Sequence, residues 1–145
     1  MKKYLTIIVI SVAAIVLAAC GTTSSDLTMH PGIKAYSPSM SSVPGIELTA
    51  VFTRDVKNKN PQYHWVAEQG TFLMWNEANN WQVKDLGQDV LTNVHKVHWS
   101  VGLERTIPAK AFQILLSVEN TDTGEIIASA TLQIEQPRTG YFIID

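Results

Sequence analysis

Cys20 is the only thiol in a chain of 145 residues, and it follows Leu17-Ala18-Ala19 directly after an apolar run. A lone cysteine has no disulfide partner and cannot complete a cysteine-type zinc site, so its role is not that of a structural bridge. The four histidines, His30, His64, His95 and His98, raise the possibility of a metal. His95 and His98 would share a face on a helix but point to opposite sides of a strand, and the alternation Val97, Trp99, Val101 favours the strand. No H-E-x-x-H pattern accompanies them, and no metal or cofactor is expected. Among the tryptophans, Trp65 and Trp99 fall on core parity. Trp75 and Trp81 flank the loop Asn76-Glu77-Ala78-Asn79-Asn80 and are the candidates for stacking on a sugar ring or anchoring a protein partner. Glu77, Asp85 and Asp89 are near one another in sequence, but a glycosidase needs two carboxylates at a fixed separation, which sequence spacing does not show. With no G-x-S-x-G, P-loop or S-x-x-K run either, no catalytic set is expected.

The residues before Cys20 explain why that position stands out. Lys2 and Lys3 form a short positive segment, Leu5 to Leu17 is an apolar run of 13 residues, and Ala18-Ala19 supplies small residues before a cut. Charge, apolar run and small residues in that order form a secretory signal. A membrane-spanning helix needs about 20 predominantly apolar residues. Here the run gives way to Gly21-Thr22-Thr23-Ser24-Ser25, which makes it short for a span. The sequence Leu17-Ala18-Ala19-Cys20 resembles the lipobox of bacterial lipoproteins. That resemblance implies a diacylglyceryl group on the Cys20 thiol, cleavage before Cys20 and acylation of the new amino terminus. Two or more acyl chains hold a protein stably on a membrane where one does so only marginally. The expected location is therefore the extracytoplasmic side of a cell membrane.

Loss of residues 1–19 leaves 126 residues and removes Lys2 and Lys3, so nine Lys and Arg face 13 Asp and Glu, a net charge of −4. A mildly acidic domain lacks the clustered cations that nucleic acid requires. The domain is also without disulfides in a compartment where they would be usual, so its core alone must hold it.

Residues 20–44 are rich in Ser, Thr, Pro and Gly and read as the lipidated cysteine followed by a flexible tether, with a short edge strand conceivable at Ile33, Ala35 and Tyr36. As a free coil this tether would place the domain roughly 25 to 30 Å from its anchor. From residue 45 to 145 the chain alternates. Ile46, Leu48, Ala50 and Phe52 share one side of an extended segment, then Tyr63, Trp65 and Ala67, then Val97, Trp99 and Val101. Gly70 bends the chain before Phe72 to Trp75, and a short strand begins at Trp81 and Val83. Phe112, Ile114, Leu116 and Val118 oppose Ile126, Ala128, Ala130, Leu132 and Ile134 across a turn at Asn120 to Gly124, with Gly124 suited to a positive φ. Tyr141 to Ile144 closes the set.

About seven strands without a helical period predict an all-β, antiparallel β-sandwich. Tyr63-His64-Trp65 followed by Gly70 resembles the Y-x-W strand of immunoglobulin-like and polycystic-kidney-disease-like domains of bacterial surface proteins. The resemblance implies a tryptophan packed centrally between two sheets. The chain departs from the immunoglobulin pattern in having no inter-sheet cysteine pair.

These observations lead to a membrane-anchored envelope protein with a non-catalytic domain that binds another protein. Two alternatives are a wall-carbohydrate module using Trp75 and Trp81, and an inhibitor of a secreted peptidase that presents the loops Asn58 to Pro61 and Asn120 to Gly124.

Overall fold

Leu27 and Met29 turn inward while Thr28 and His30 stay exposed, and the same two-residue period is repeated along the chain. The computed structural model describes residues 26–41, 45–56, 59–76, 82–101 and 110–145. Cys20, Trp81, Asn58 and residues 77–80 lie outside the described residues. The strands are β1 (Leu27–Pro31), β2 (Ala35–Tyr36), β3 (Ile46–Phe52), β4 (Pro61–Ala67), β5 (Thr71–Asn76) and β6 (Gln82–Gly87). They continue with β7 (Asp89–Thr92), β8 (Lys96–Ser100), β9 (Ala111–Asn120), β10 (Ile126–Arg138) and β11 (Tyr141–Ile144). Among the described residues no helix is long and apolar enough to cross a membrane.

Two antiparallel sheets form a sandwich, one ordered β1-β3-β8-β5-β6 and the other β2-β11-β10-β9-β4-β7. The expected fold class is the observed one. Among the described residues it contains eleven strands rather than about seven, because short segments such as β2 and β7 also pair. Part of the expected tether is folded as well. β1 pairs with β3 from Leu27↔Phe52 to Pro31↔Leu48, and β2 pairs with β11 through Tyr36↔Phe142. The composition around β1 hides it, since only five residues carry the alternation among serines and prolines. Burial of Leu27, Met29 and Tyr36 holds this segment to the domain.

Aromatic rings fill the space between the sheets. Trp65 and Trp99 are fully buried, as their parity predicts. The Trp99 ring lies 5.5 Å from both Phe112 and Phe142 and 6.5 Å from Tyr36. Each such pair adds about 0.5–1.5 kcal/mol beyond the area it buries. Trp99 Nε1 donates to the Gln69 carbonyl at 2.7 Å, which ties the β4–β5 crossover to the core. Gly70 occupies that crossover at φ +82°. A Cβ there would strike Ser100 O and come within 2.6 Å of Trp99 Nε1, so the position needs glycine for its dihedral and for its space.

The β9–β10 hairpin forms with the expected facing, and Gly124 has φ +69°. Ile126 is the exception. The register shifts between Ile126 and Ala128, and the side chain expected in the core is 62% exposed. A bulge adds one residue to one strand and reverses the facing of the residues beyond it, so Ile127 packs against the core instead.

Register also sorts the connections between two ends. The start of β1, the turns after β3 and β7 and the β9–β10 turn lie together, and we call this the β1 end. Residues 32–34, 37–41, 45 and 68–70 and the β10–β11 turn lie at the opposite end.

Candidate functional site

β5 presents Thr71, Leu73 and Trp75 away from the core, because Phe72 between them faces inward. Leu73 pairs with His98 on β8, and His98 in turn pairs with Glu47 on β3. This outer face therefore carries a row of mixed chemistry. The Trp75 ring lies 5.6 Å from that of His98 at an interplanar angle of 50°. Glu47 Oε2 sits 3.1 Å from Lys96 Nζ and 4.0 Å from His98 Nε2. Burial pushes the His98 imidazole below its ordinary value. Lys96 adds to that effect, while the Glu47 carboxylate opposes it.

Trp75 thus lies on the outward side, as a ligand-stacking residue must. It is half-buried and inclined against His98, so it is not a free planar platform. Its proposed companion, Trp81, precedes β6 in sequence and lies outside the described residues. Asp85 on β6 has a local task, accepting hydrogen bonds from Thr71 Oγ1 and from the Gly87 amide.

The outer face of the other sheet gathers a second set, which sequence spacing gives no means of finding. His64 on β4 pairs with Leu91 on β7 and with Ser117 on β9. Its Nε2 donates to Asp89 Oδ1 at 2.7 Å, and Nδ1 lies 3.8 Å from Glu119 Oε1. A serine, a histidine and an aspartate are therefore neighbours here. Nucleophile activation needs one imidazole nitrogen on the carboxylate and the other on the hydroxyl. In this arrangement both nitrogens face carboxylates. His95 lies in the turn before β8, its ring 6.4 Å from that of Tyr63, while His98 belongs to the other sheet's outer face. Among the described residues no three His, Asp or Glu side chains converge to hold a metal ion.

A third constellation lies at the β1 end, where the two loops named for a peptidase inhibitor meet. Asn60, at φ +46°, donates from Nδ2 to Asp122 Oδ1 at 3.3 Å. Asn120 Oδ1 accepts from the amides of Asp122 at 2.9 Å and Thr123 at 3.4 Å. Side-chain caps of this kind fix a turn locally. Sequence periodicity shows both turns but not their contact, which depends on β4 and β9 pairing from Pro61↔Asn120 onward.

No family model matches the chain, and no curated protein or solved structure matches it either.

Proposed function

We propose that the chain is a lipid-anchored protein of the bacterial cell envelope whose β-sandwich is a non-catalytic, immunoglobulin-like domain that binds another envelope protein. The observation carrying this reading is the order of positive residues, apolar run and Leu17-Ala18-Ala19-Cys20, followed within seven residues by the first strand of a folded domain. The immunoglobulin-like assignment draws support from Trp65 buried centrally on a strand between β7 and β9. A non-catalytic role draws support from His64, whose two ring nitrogens both face carboxylates, leaving neither for the Ser117 hydroxyl.

Two experiments test this reading. Cys20→Ser should leave the chain unprocessed or without lipid by mass spectrometry, and the same acylated species from that variant would remove the anchor. Crosslinking of the anchored protein in intact cells should recover a protein partner, and recovery of wall polymer alone would move the reading to the carbohydrate module.

One structural observation favours the peptidase-inhibitor alternative. The loops at Asn60 and at residues 120–124 are braced against each other, as a segment that must enter a cleft without adapting would be. If that reading holds, the purified domain slows an envelope peptidase.

A further inference from the structure

We propose that the β1 end of the sandwich faces the lipid surface and rests against it, an inference that depends on the lipid anchor at Cys20. The chain enters the sandwich at this end, because Leu27 pairs with Phe52 at the close of β3. Between Cys20 and Asp26 there are six residue steps, which can span at most about 22 Å. That is below the expectation for a tether reaching to residue 44, because β1 and β2 belong to the domain. The sandwich is longer than its leash. At about 3.3 Å per residue the 13 residues of β10 alone run about 43 Å.

Exposed apolar side chains are available at the β1 end. Ile126 is displaced outward by the bulge, and Val94 lies exposed in the turn between β7 and β8. Val51, Val83 and Leu91 are exposed on the strand ends that lead to the same rim. Ile33, Met40 and Ile143 are exposed at the opposite end, so the short leash, and not a difference in apolar exposure, selects the β1 end. The charges at the β1 end do not favour an anionic surface. Asp26 and Arg54 pair at 3.2 Å, and the turns of this end also carry one lysine, Lys59, and three acids, Asp55, Asp122 and Glu125. The contact is therefore apolar and shallow, and it is enforced by the short leash rather than by basic residues. It turns the loops at Asn60 and Asp122 toward the membrane, which leaves the two sheet faces and the opposite end for a protein partner.

The test uses the full chain, processed and acylated at Cys20, in phosphatidylcholine vesicles carrying a headgroup-linked quencher. Ile126→Cys and Met40→Cys place a fluorophore at the two ends, and the acylated Cys20 sulfur does not compete for the label. Both sites are exposed, at 62% and 86%, so neither label disturbs the core. Quenching several-fold stronger at position 126 than at position 40 is the expected result. Equal quenching at the two positions, or stronger quenching at 40, on protein that floats with the vesicles overturns the orientation and leaves the anchor standing. Failure of the protein to float overturns the anchor and the orientation together.

Discussion

The main-chain carbonyl of Asn60 accepts two hydrogen bonds from Thr121, one from the amide at 3.1 Å and one from the hydroxyl at 2.8 Å. Sixty-one residues separate the two in sequence, so this bond clamps the start of β4 to the turn beyond β9. Thr121→Val keeps the shape and removes the hydroxyl, and it should cost about 0.5–1.5 kcal/mol in urea unfolding. Asn60→Gly keeps easy access to the positive φ and should stay within about 1 kcal/mol of the parent. Asn60→Val adds a β-branched residue in the left-handed region and should cost a further 1–3 kcal/mol or so. Equal stability of the glycine and valine variants would show that the φ of +46° is not maintained in solution.

Gly70 is the position where one added methyl should do most harm. Its φ and the closeness of Ser100 O and the Trp99 indole act together, so relief of one leaves the other. Gly70→Ala should lower unfolding free energy by at least about 2 kcal/mol and release the Trp99 indole from Gln69. Chemical denaturation together with tryptophan fluorescence reads both effects. Gly124→Ala has the same sign of φ but nothing within 4 Å of the added atom, and it should cost only about 1 kcal/mol from backbone strain. The difference between the two variants measures the packing contribution at Gly70.

The two fully buried tryptophans differ in a way that burial does not reveal. Trp99 Nε1 has the Gln69 carbonyl, whereas Trp65 Nε1 has no hydrogen-bond partner among the described residues. Replacement by Phe removes similar volume from both sites, but at Trp99 it also strands a carbonyl and frees the crossover. Trp99→Phe should therefore be the more destabilising by about 1 kcal/mol. Thermal unfolding of the two variants side by side checks the order, and a greater loss at Trp65 would contradict it.

Strands β3, β4 and β9 are legible because each carries three or more inward residues in strict alternation, and β8 is legible through Val97 and Trp99 with Val101 just beyond it; a period of two leaves little choice of facing. β7 was not legible, since Val90 is its only buried residue. β1 was masked by its Ser- and Pro-rich neighbours. Ile126 was misread for a different reason: alternation assumes an unbroken ladder, and a bulge leaves no mark in composition. Among the candidate site residues, Trp75 is singled out in the sequence by its place beside the loop, whereas its outward facing and its burial against His98 depend on the β5–β8 register. The grouping of His64 with Asp89 and Glu119 depends on two registers at once, so nothing in the linear spacing announces it.

His98 gives the stability of the domain a definite dependence on pH. Burial holds its imidazole below the ordinary value of 6.5, with Lys96 adding and Glu47 opposing, while the Trp75 ring covers one side. The unfolded chain takes up the proton at a higher pH than the folded chain does. Below about 6.5, then, the unfolded state holds more bound proton, and stability falls as pH falls. The contribution of His98 is fully present above that value and is lost as pH drops through the folded value. The midpoint of thermal unfolding should accordingly decline between neutral pH and mildly acidic pH. His98→Gln keeps a polar side chain without a titrating group, and it should flatten that decline while leaving the neutral-pH midpoint little changed. Glu47→Gln removes the one group that favours the protonated imidazole, so it should steepen the decline. If the profile of His98→Gln overlays that of the parent across this range, the pH dependence arises elsewhere and the burial of His98 carries no energetic consequence.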